Sequence, residues 1–220
     1  MVIPKFNNDY ESNSSSIYEN NNVLDNNSNN TNFDQLDKKL DNMSDAQIEQ
    51  FIDKEIEKDK LENLYGNSKI STPEGDSVRG ALALAWFAAA AIAKRRGYTC
   101  SGTLVQYCFA NKNYNEYSRG GRLFAKKIRK NSDFLKAKKQ HKKYFVFHRS
   151  HSRDLFYGLH KVSVNFHSTK KHPYHVWDKF NFDNLWGYRS FIAGFANNAG
   201  YLTQHIAHVF HSIKVNIYFR

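Results

Sequence analysis

The most apolar run of this chain is ALALAWFAAAAIA, residues 81–93. It lies in a segment that begins at Thr72-Pro73 and stops at Gly97, which predicts a helix from residue 72 to about residue 96. Such a helix is apolar on nearly every side, so it must be buried on nearly every side. Its 13 apolar residues fall short of the ~20 that cross a bilayer. We therefore expect a domain built around this helix.

The chain before this helix is polar. Residues 7–32 contain 11 Asn, and a stretch that buries so little cannot offset its ordering entropy, which predicts disorder over residues 1–42. Residues 44–66 then form a helix, in which Ser44 and Gln47 make a capping box. We expect this helix to dock on the domain or on a carrier. Its apolar stripe consists of Ile48, Phe51, Ile52, Ile56 and Leu64.

Two further helices are predicted after the buried one. Residues 101–112 form a shorter helix. Residues 119–143 form a basic, partly amphipathic helix that turns Leu123, Phe124, Ile128 and Leu135 inward.

The pattern then changes to period two. Segments rich in aromatic and β-branched residues predict strands, and helical periodicity returns from Arg189 to His208. Helices first and an antiparallel sheet afterwards, with one helix before the last strand, predict an α+β fold. The predicted strands are residues 144–148, 159–167, 174–182 and 212–220.

Charge divides the chain into two parts. Residues 1–70 carry 7 Lys/Arg against 14 Asp/Glu, a net of −7, and the other 150 residues carry 25 against 7, a net of +18. We therefore divide the chain into an acidic leader (1–42), an amphipathic helix with a linker (43–70) and a basic domain (71–220). A field this positive attracts phosphates, whether of nucleic acid, anionic lipid or lipid-linked pyrophosphate.

The N-terminal residues indicate how the protein could be exported, and the cysteines indicate the redox compartment in which it is made. Residues 1–13 lack the basic and apolar regions of a secretory signal, so secretion or injection would need a dedicated machine. If one helix holds Cys100 and Cys108, they lie ~12 Å apart along its axis, too far for a disulfide. Buried free thiols are expected, which fits synthesis in a reducing compartment.

Acidic residues are scarce in the basic domain, so they narrow the search for a site. Glu74 and Asp76 suit a helix start, Glu116 and Asp133 are expected to pair with nearby cations, and Asp154 is expected to cap a turn. That leaves two carboxylates for acid–base chemistry. These are Asp178 and Asp183.

Asp178 lies on a predicted aromatic strand and points with Phe180 and Phe182. Its nearest cationic candidate is Arg189. Two interpretations stay open: a buried ion pair that fastens the strand to the next helix, or a site at which the guanidinium holds phosphate oxygens.

All ten histidines follow residue 140. His205, His208 and His211 are spaced by three, but no usual metal signature accompanies them, so a polar rim is favoured over a metal site. One of the histidines that flank the strands could act as a general base, and His175 is the one nearest to Asp178. The flanking histidines are His148, His151, His160, His167, His172 and His175.

A basic stretch runs from Arg119 to Arg153, with 13 Lys/Arg and one acid. Interleaved aromatics such as Tyr144 suit single-stranded nucleic acid, through phosphate contacts and stacking. The same composition suits an anionic membrane surface or a plain solvated helix face.

The C-terminal segment, from RDLFYGLHKVSVNFHS to HPYHVWDKFNFDNLWGYRSFIAGFANNAG, resembles the closing part of colicin M-type bacteriocins and related toxin domains of bacterial polymorphic toxins. That family implies cleavage of lipid-linked peptidoglycan precursors at the pyrophosphate, and a strand that ends in a D-x-Y-D-F motif before a His-Arg pair. The resemblance covers about 65 residues.

Matched by position, Asp178 corresponds to the first Asp of that motif and Phe182 to its Phe. Phe180 and Asn181 stand where the family has Tyr and the second Asp. Asp183 lies two residues after Asn181 and is the candidate replacement. Tyr188-Arg189 falls near the His-Arg pair.

These observations predict a bacterial toxin or effector. Its site would contain Asp178, Asp183, Arg189 and His175, with no metal ligands identified and the cofactor unknown. Residues 1–70 would engage a secretion or contractile-injection carrier, and an immunity protein would be a further partner. The target is phosphate-rich, with a lipid-linked pyrophosphate as the leading substrate. The alternatives are a non-enzymatic cationic module that binds anionic membrane or nucleic acid, and a metal-independent nuclease toxin.

Overall fold

The structure, a computed structural model, describes residues 26–65, 75–118, 122–181, 198–205 and 211–220. Within these ranges it has eight helices and one five-stranded sheet, which confirms the α+β class. The helices are α1 (Asn26–Asp41), α2 (Asp45–Tyr65), α3 (Gly75–Arg95), α4 (Thr99–Phe109), α5 (Leu123–Ile128), α6 (Ser132–Lys139), α7 (Arg153–Leu159) and α8 (Ala199–His205). The strands are β1 (Tyr114–Ser118), β2 (Tyr144–Val146), β3 (Lys161–Asn165), β4 (Tyr174–Phe180) and β5 (Ile213–Phe219).

Helix α3 is the central buried helix that its apolar sequence predicts. Ala85, Trp86 and Ile92 are almost completely buried. The indole N–H of Trp86 donates to the carbonyl oxygen of Leu202 in α8 at 3.2 Å, which ties the helix before the last strand to the core. No helix in the described ranges is both long enough and apolar enough to cross a bilayer.

Helix α1 corrects the prediction of disorder over residues 1–42. Residues 1–25 lie outside the described part of the chain, but Asn26–Asp41 is helical, and Leu36 and Leu40 are buried in the same core as α3. The high Asn content favoured disorder in the sequence-based prediction, but Leu36 and Leu40 lie one helical turn apart and are buried against α3.

Helix α2 begins as its sequence predicts. Ser44 N donates to Gln47 Oε1 at 2.7 Å, and Gln47 N donates to Ser44 Oγ at 3.2 Å, which is a capping box. Ile48, Ile52 and Ile56 are buried, so the predicted stripe docks on the domain. Leu64 is one of the residues whose side chains are not described.

Helices α3 and α4 cross at close range. Gly97, at φ 92°, ends the α3 segment in a conformation that favours glycine. A Cβ atom on Gly102 of α4 would lie 2.8 Å from the carbonyl oxygen of Ala90, so only glycine allows this approach. Cys100 and Cys108, both on α4, are buried free thiols as predicted. Burial raises the pKa of Cys108 to about 12.

The basic segment departs most from its prediction. Instead of one helix over residues 119–143 there are two short ones, because the side chain of Asn131 accepts hydrogen bonds from Asp133 N and Phe134 N and so starts a new helix. The new helix buries Phe134 and Ala137, so Leu135, which was predicted to turn inward, is 50% exposed. Strand β1 was not predicted. Its central residue Glu116 is buried and accepts from Phe124 N and Ala125 N at 3.0 Å each, so it caps α5 rather than pairing with a cation as predicted.

The sheet is mixed. Its order is β1-β5-β4-β3-β2, and β1 runs parallel to β5 while the other neighbours are antiparallel, as predicted for the strands read from the sequence. Phe134 of α6 packs against Phe145 and Phe219, which lie on the helix-covered face. The residues that alternate with these point to the opposite face of the sheet.

Candidate functional site

Asp133 is a buried carboxylate in the first turn of helix α6. The cap at Asn131 places it in the first turn of α6, where the helix dipole favours negative charge. Its side chain is 6% exposed. It is also the one acid in the basic stretch between Arg119 and Arg153.

Two histidines converge on this carboxylate from the loop after β2. His148 N donates to Asp133 Oδ2 at 2.9 Å, and His148 Nδ1 lies 2.7 Å from Oδ1. His151 Nδ1 lies 2.8 Å from the same Oδ1 atom. The loop is held at its far end by Ser152, whose hydroxyl accepts from Leu155 N and caps α7. One carboxylate therefore orients two imidazoles.

The protonation of this cluster follows from its hydrogen bonds. Burial by itself would raise the pKa of Asp133, but the hydrogen bonds from His148 N, His148 Nδ1 and His151 Nδ1 outweigh it, and the pKa lies below its ordinary value. An ionised carboxylate accepts only, so both Nδ1 atoms carry hydrogen. The Nε2 atoms of the two exposed imidazoles are then the ones left for a ligand.

A basic cleft of about 710 Å³ opens beside His151. Lys126 and Lys130 are exposed, and Lys127 is half-buried. The cleft is lined by Thr99, Leu123, Lys126, Lys127, Lys130, Asn131, His151 and Ser152.

One lysine of the cleft is fixed by a buried acid. Lys127 Nζ contacts the Asp154 carboxylate and donates to Thr99 Oγ1 at 2.9 Å. Asp154 also accepts from Cys100 N at 3.0 Å and Ser101 N at 2.8 Å. It therefore caps α4 across the fold, where the sequence had suggested a local turn. Lys126 and Lys130 supply the remaining positive charge.

Together these residues can carry out acid–base chemistry on an anion. The two imidazoles can take up and give protons at Nε2. The lysines beside them can hold phosphate oxygens. One ligand atom each of Asp133, His148 and His151 lies within 4.8 Å of the others, so this cluster could also hold a divalent metal such as zinc.

The sequence-predicted site residues are not all brought together. Asp178 is half-buried on the face of β4 that holds Phe180, as predicted, and its Oδ1 accepts from Lys179 N at 2.8 Å. His175 lies on the opposite face, where its Nε2 is 3.2 Å from Asn216 Oδ1. Asp183 and Arg189 lie outside the described residues, so the pairing of Arg189 with Asp178 and the role of Asp183 stay predictions.

The sequence pattern does not indicate that Asp133, His148 and His151 form one site. His148 and His151 were among the six candidate general bases, while Asp133 was expected to pair with the cations around it. Its partners are histidines because Asn131 restarts the helix and turns the carboxylate toward the loop after β2. The available signal was a lone acid in a basic stretch, followed by two histidines three residues apart.

Comparisons with models of protein families, with curated proteins and with solved structures found no match for this chain. The resemblance to the colicin M group therefore stays a prediction.

Proposed function

We propose that this protein cleaves phosphodiester bonds by metal-independent acid–base catalysis, with His148 and His151 as the proton-transferring pair. The observation that carries the proposal is the single carboxylate oxygen of Asp133 that lies within hydrogen-bond distance of both Nδ1 atoms. Fixing both Nδ1 atoms on a buried carboxylate leaves two Nε2 atoms for proton transfer, and the imidazole of His151 lines the basic cleft.

The proposed reaction uses both imidazoles. The neutral one accepts a proton at Nε2 from the attacking hydroxyl, of water or of a ribose 2′ position, and that oxygen forms a bond to phosphorus. The bond from phosphorus to the leaving oxygen breaks with its electron pair, and the second imidazole, as imidazolium, gives its Nε2 proton to that oxygen. Lys126 and Lys130 stabilise the charge that develops on the phosphoryl oxygens.

The composition of the cleft favours a nucleic acid over a lipid-linked pyrophosphate. Among its described lining residues, Leu123 is the one apolar side chain. A lipid-linked substrate carries a long hydrocarbon chain next to its phosphates and would need an apolar groove beside the lysines. A divalent metal ion bound to Asp133, His148 and His151 is disfavoured because the positive charges of the cleft lysines repel it.

The test is cleavage of dinucleotide phosphodiesters, ribose and deoxyribose, by the whole protein. We expect turnover with a bell-shaped pH dependence, and a loss of about 100-fold or more in kcat/KM for His148→Ala and for His151→Ala. His167→Ala, an exposed histidine on the β3–β4 connection, is the matched control and should retain full activity.

Two results would contradict the proposal. Turnover no faster than that of the His148→Ala/His151→Ala double variant would exclude catalysis by this pair. Activity that a chelator abolishes and zinc restores would assign the three residues to a metal instead. Growth inhibition on expression in the bacterial cytoplasm, lost in the double variant, would in addition support the proposal of a toxin or effector.

A further inference from the structure

The face of the sheet opposite to the helices carries exposed aromatic side chains. Tyr117 on β1 is 58% exposed, Tyr144 on β2 63% and Trp177 on β4 37%. Their neighbours on the core side, such as Phe145 and Val176, are buried. A group of exposed aromatic side chains on one sheet face is typical of a surface that binds a partner molecule.

Four of the rings on this face form a continuous stack across three strands. Tyr117 and Tyr218 lie with centroids 4.7 Å apart and planes at 0°, Tyr218 and His175 are 4.0 Å apart at 7°, and His175 and Trp177 are 4.6 Å apart at 24°. Burial lowers the pKa of His175, and the hydrogen bond to Asn216 only partly opposes this. A neutral ring in the middle keeps the stack uncharged, and the stack holds Trp177 in place at its end.

Beyond Trp177, the small residue Ser163 separates two exposed aromatic residues of this face. Trp177 pairs with Ser163, and Ser163 pairs with Tyr144 on the other side. Two exposed aromatics therefore flank a small residue, with their backbones ~9.6 Å apart at ~4.8 Å per strand. Ring centroids in aromatic pairs lie ~4.5–7 Å apart, so one further ring inserted between Trp177 and Tyr144 would contact both.

The charges on this face suit a phosphate backbone. Lys179 pairs with Lys214, and continuing the β3–β4 register places Lys161 beside Lys179, so three lysines form a row next to the aromatics. Lys161 Nζ lies over the Tyr144 ring, 5.5 Å from its centroid. The two acids of the five strands, Glu116 and Asp178, lie on the helix-covered face.

From these observations we infer that the open face binds single-stranded nucleic acid, with an unpaired base held between Trp177 and Tyr144. The row of lysines contacts the flanking phosphates, and the entering base moves the Lys161 ammonium toward its own phosphate. Stacking on both ring faces requires a base that is not paired in a duplex. The surface is separate from the residues that line the cleft, and it includes one residue of the predicted site, His175, within its stack.

This inference names the substrate class of the proposed function. Binding of the strand is argued independently, and only its cleavage rests on the proposed function. Strand β2 is at the edge of the sheet, and His148 follows its last residue, Val146, by two positions. A strand that leaves the sheet past Tyr144 therefore runs toward the loop that carries His148 and His151. The substrate class is then a single-stranded polynucleotide.

The experiment measures binding without cleavage. The His148→Ala/His151→Ala protein is titrated into fluorescently labelled ten-nucleotide RNA and DNA, the matching duplexes, inorganic polyphosphate and anionic phospholipid vesicles, all at one ionic strength. We expect the single strands to bind at least ten-fold more tightly than the duplexes and polyphosphate. Equal affinities for RNA and DNA would indicate contacts to bases and phosphates alone. A higher affinity for RNA would indicate an additional contact to the ribose 2′-hydroxyl.

Variants locate the contact. Trp177→Ala and Tyr144→Ala should each weaken single-strand binding by about five-fold to 100-fold, which is the range for one lost base stack. Trp177→Phe keeps a ring and should lose much less. Leu135→Ala, an exposed apolar residue on α6, is the matched control and should bind normally.

Several outcomes would overturn the inference. These are equal affinity for single strands and polyphosphate, preference for duplex, binding to vesicles without binding to oligonucleotides, or unchanged affinity in both alanine variants. Each is independent of the cleavage assay, because the dinucleotides used there are cleaved in the cleft and the binding assay uses a protein without the histidine pair. Failure of one proposal therefore leaves the other measurable.

Discussion

Asp133 shows how much a single side chain depends on its neighbours. Three hydrogen-bond donors from two histidines converge on it, and they keep its pKa low although it is buried. In an unfolded chain the same carboxyl group has none of these donors. Its ionisation is therefore coupled to folding.

That coupling predicts a pH-dependent contribution to stability. Because the folded-state pKa of Asp133 is lowered, the ionised form stabilises the fold above the unfolded value of ~3.9, and this contribution disappears as the pH falls through the folded-state pKa. Asp133→Asn should lower the free energy of unfolding by about 1.5–3 kcal/mol at pH 7, since it weakens hydrogen bonds to a charged group.

Urea unfolding at pH 7, 5, 4 and 3 measures this contribution. The difference between the wild type and Asp133→Asn should begin to shrink below pH ~4, because the carboxyl group of the unfolded chain takes up a proton there while that of the folded protein does so only at lower pH. Glu57→Gln serves as the control, because Glu57 makes only an exposed ion pair with Lys60 at 3.9 Å and should change stability by less than ~1 kcal/mol. A difference that stays constant from pH 7 to pH 3 would show that the charge of Asp133 contributes nothing.

At the scale of elements, helix α1 changes the account of the N-terminal region. Its apolar side packs on the core, and its acids meet cations of the basic domain: Asp37 lies 3.5 Å from Lys94, and Asp34 lies 3.2 Å from Lys112. Exposed ion pairs of this kind contribute little to stability. The buried leucines therefore hold α1 in place, while the charges set its orientation.

Leu40 tests this account. It is fully buried, so Leu40→Ala should lower the free energy of unfolding by about 2–5 kcal/mol through lost burial and the cavity left behind. Leu61→Ala, on the exposed side of α2, is the matched control and should change it by ~0.5 kcal/mol or less. Chemical denaturation of the full chain compares the two. Equal effects would mean that α1 does not contribute to the core.

For the molecule as a whole, the charge asymmetry stands out. The net charge of −7 in residues 1–70 and +18 in the remainder is partly matched within the fold, since Arg95 and Arg96 of the α3 end also contact Asp45 of α2. The lysines of the cleft and of the open sheet face are on other surfaces. Those surfaces keep their positive field while the acidic helices lie elsewhere.

The field predicts a steep salt dependence of binding. A single strand that contacts Lys126 and Lys130 of the cleft and the three sheet lysines should show a slope of log affinity against log salt concentration of about −3.5, at ~0.7 per phosphate contact. Anisotropy titrations of the ten-nucleotide strand from low to physiological salt give the slope. Replacing Lys126 and Lys130 by Ala should reduce its magnitude by about 1.4. A flat dependence would rule out these lysines as phosphate contacts.

Sequence by itself determined the features that depend on local pattern. The apolar run at 81–93 required a buried helix, Ser44 and Gln47 sit three residues apart and cap α2, and alternation marked the strands from residue 144 onward. In each case neighbouring residues along the chain carry the whole signal. The α+β class followed from their order.

Tertiary structure alone decided the rest. Helix α1 is held by the surface of α3. Strand β1 was not predicted because its buried centre, Glu116, is polar, and its carboxylate accepts hydrogen bonds from the backbone of α5 and from the Tyr114 hydroxyl. Asp133 meets His148 and His151 across separations of 15 and 18 residues. Trp177 and Tyr144 flank Ser163 only because β3 lies between their strands. Contacts between distant residues leave no period or spacing in the sequence, so only the folded chain brings these groups together.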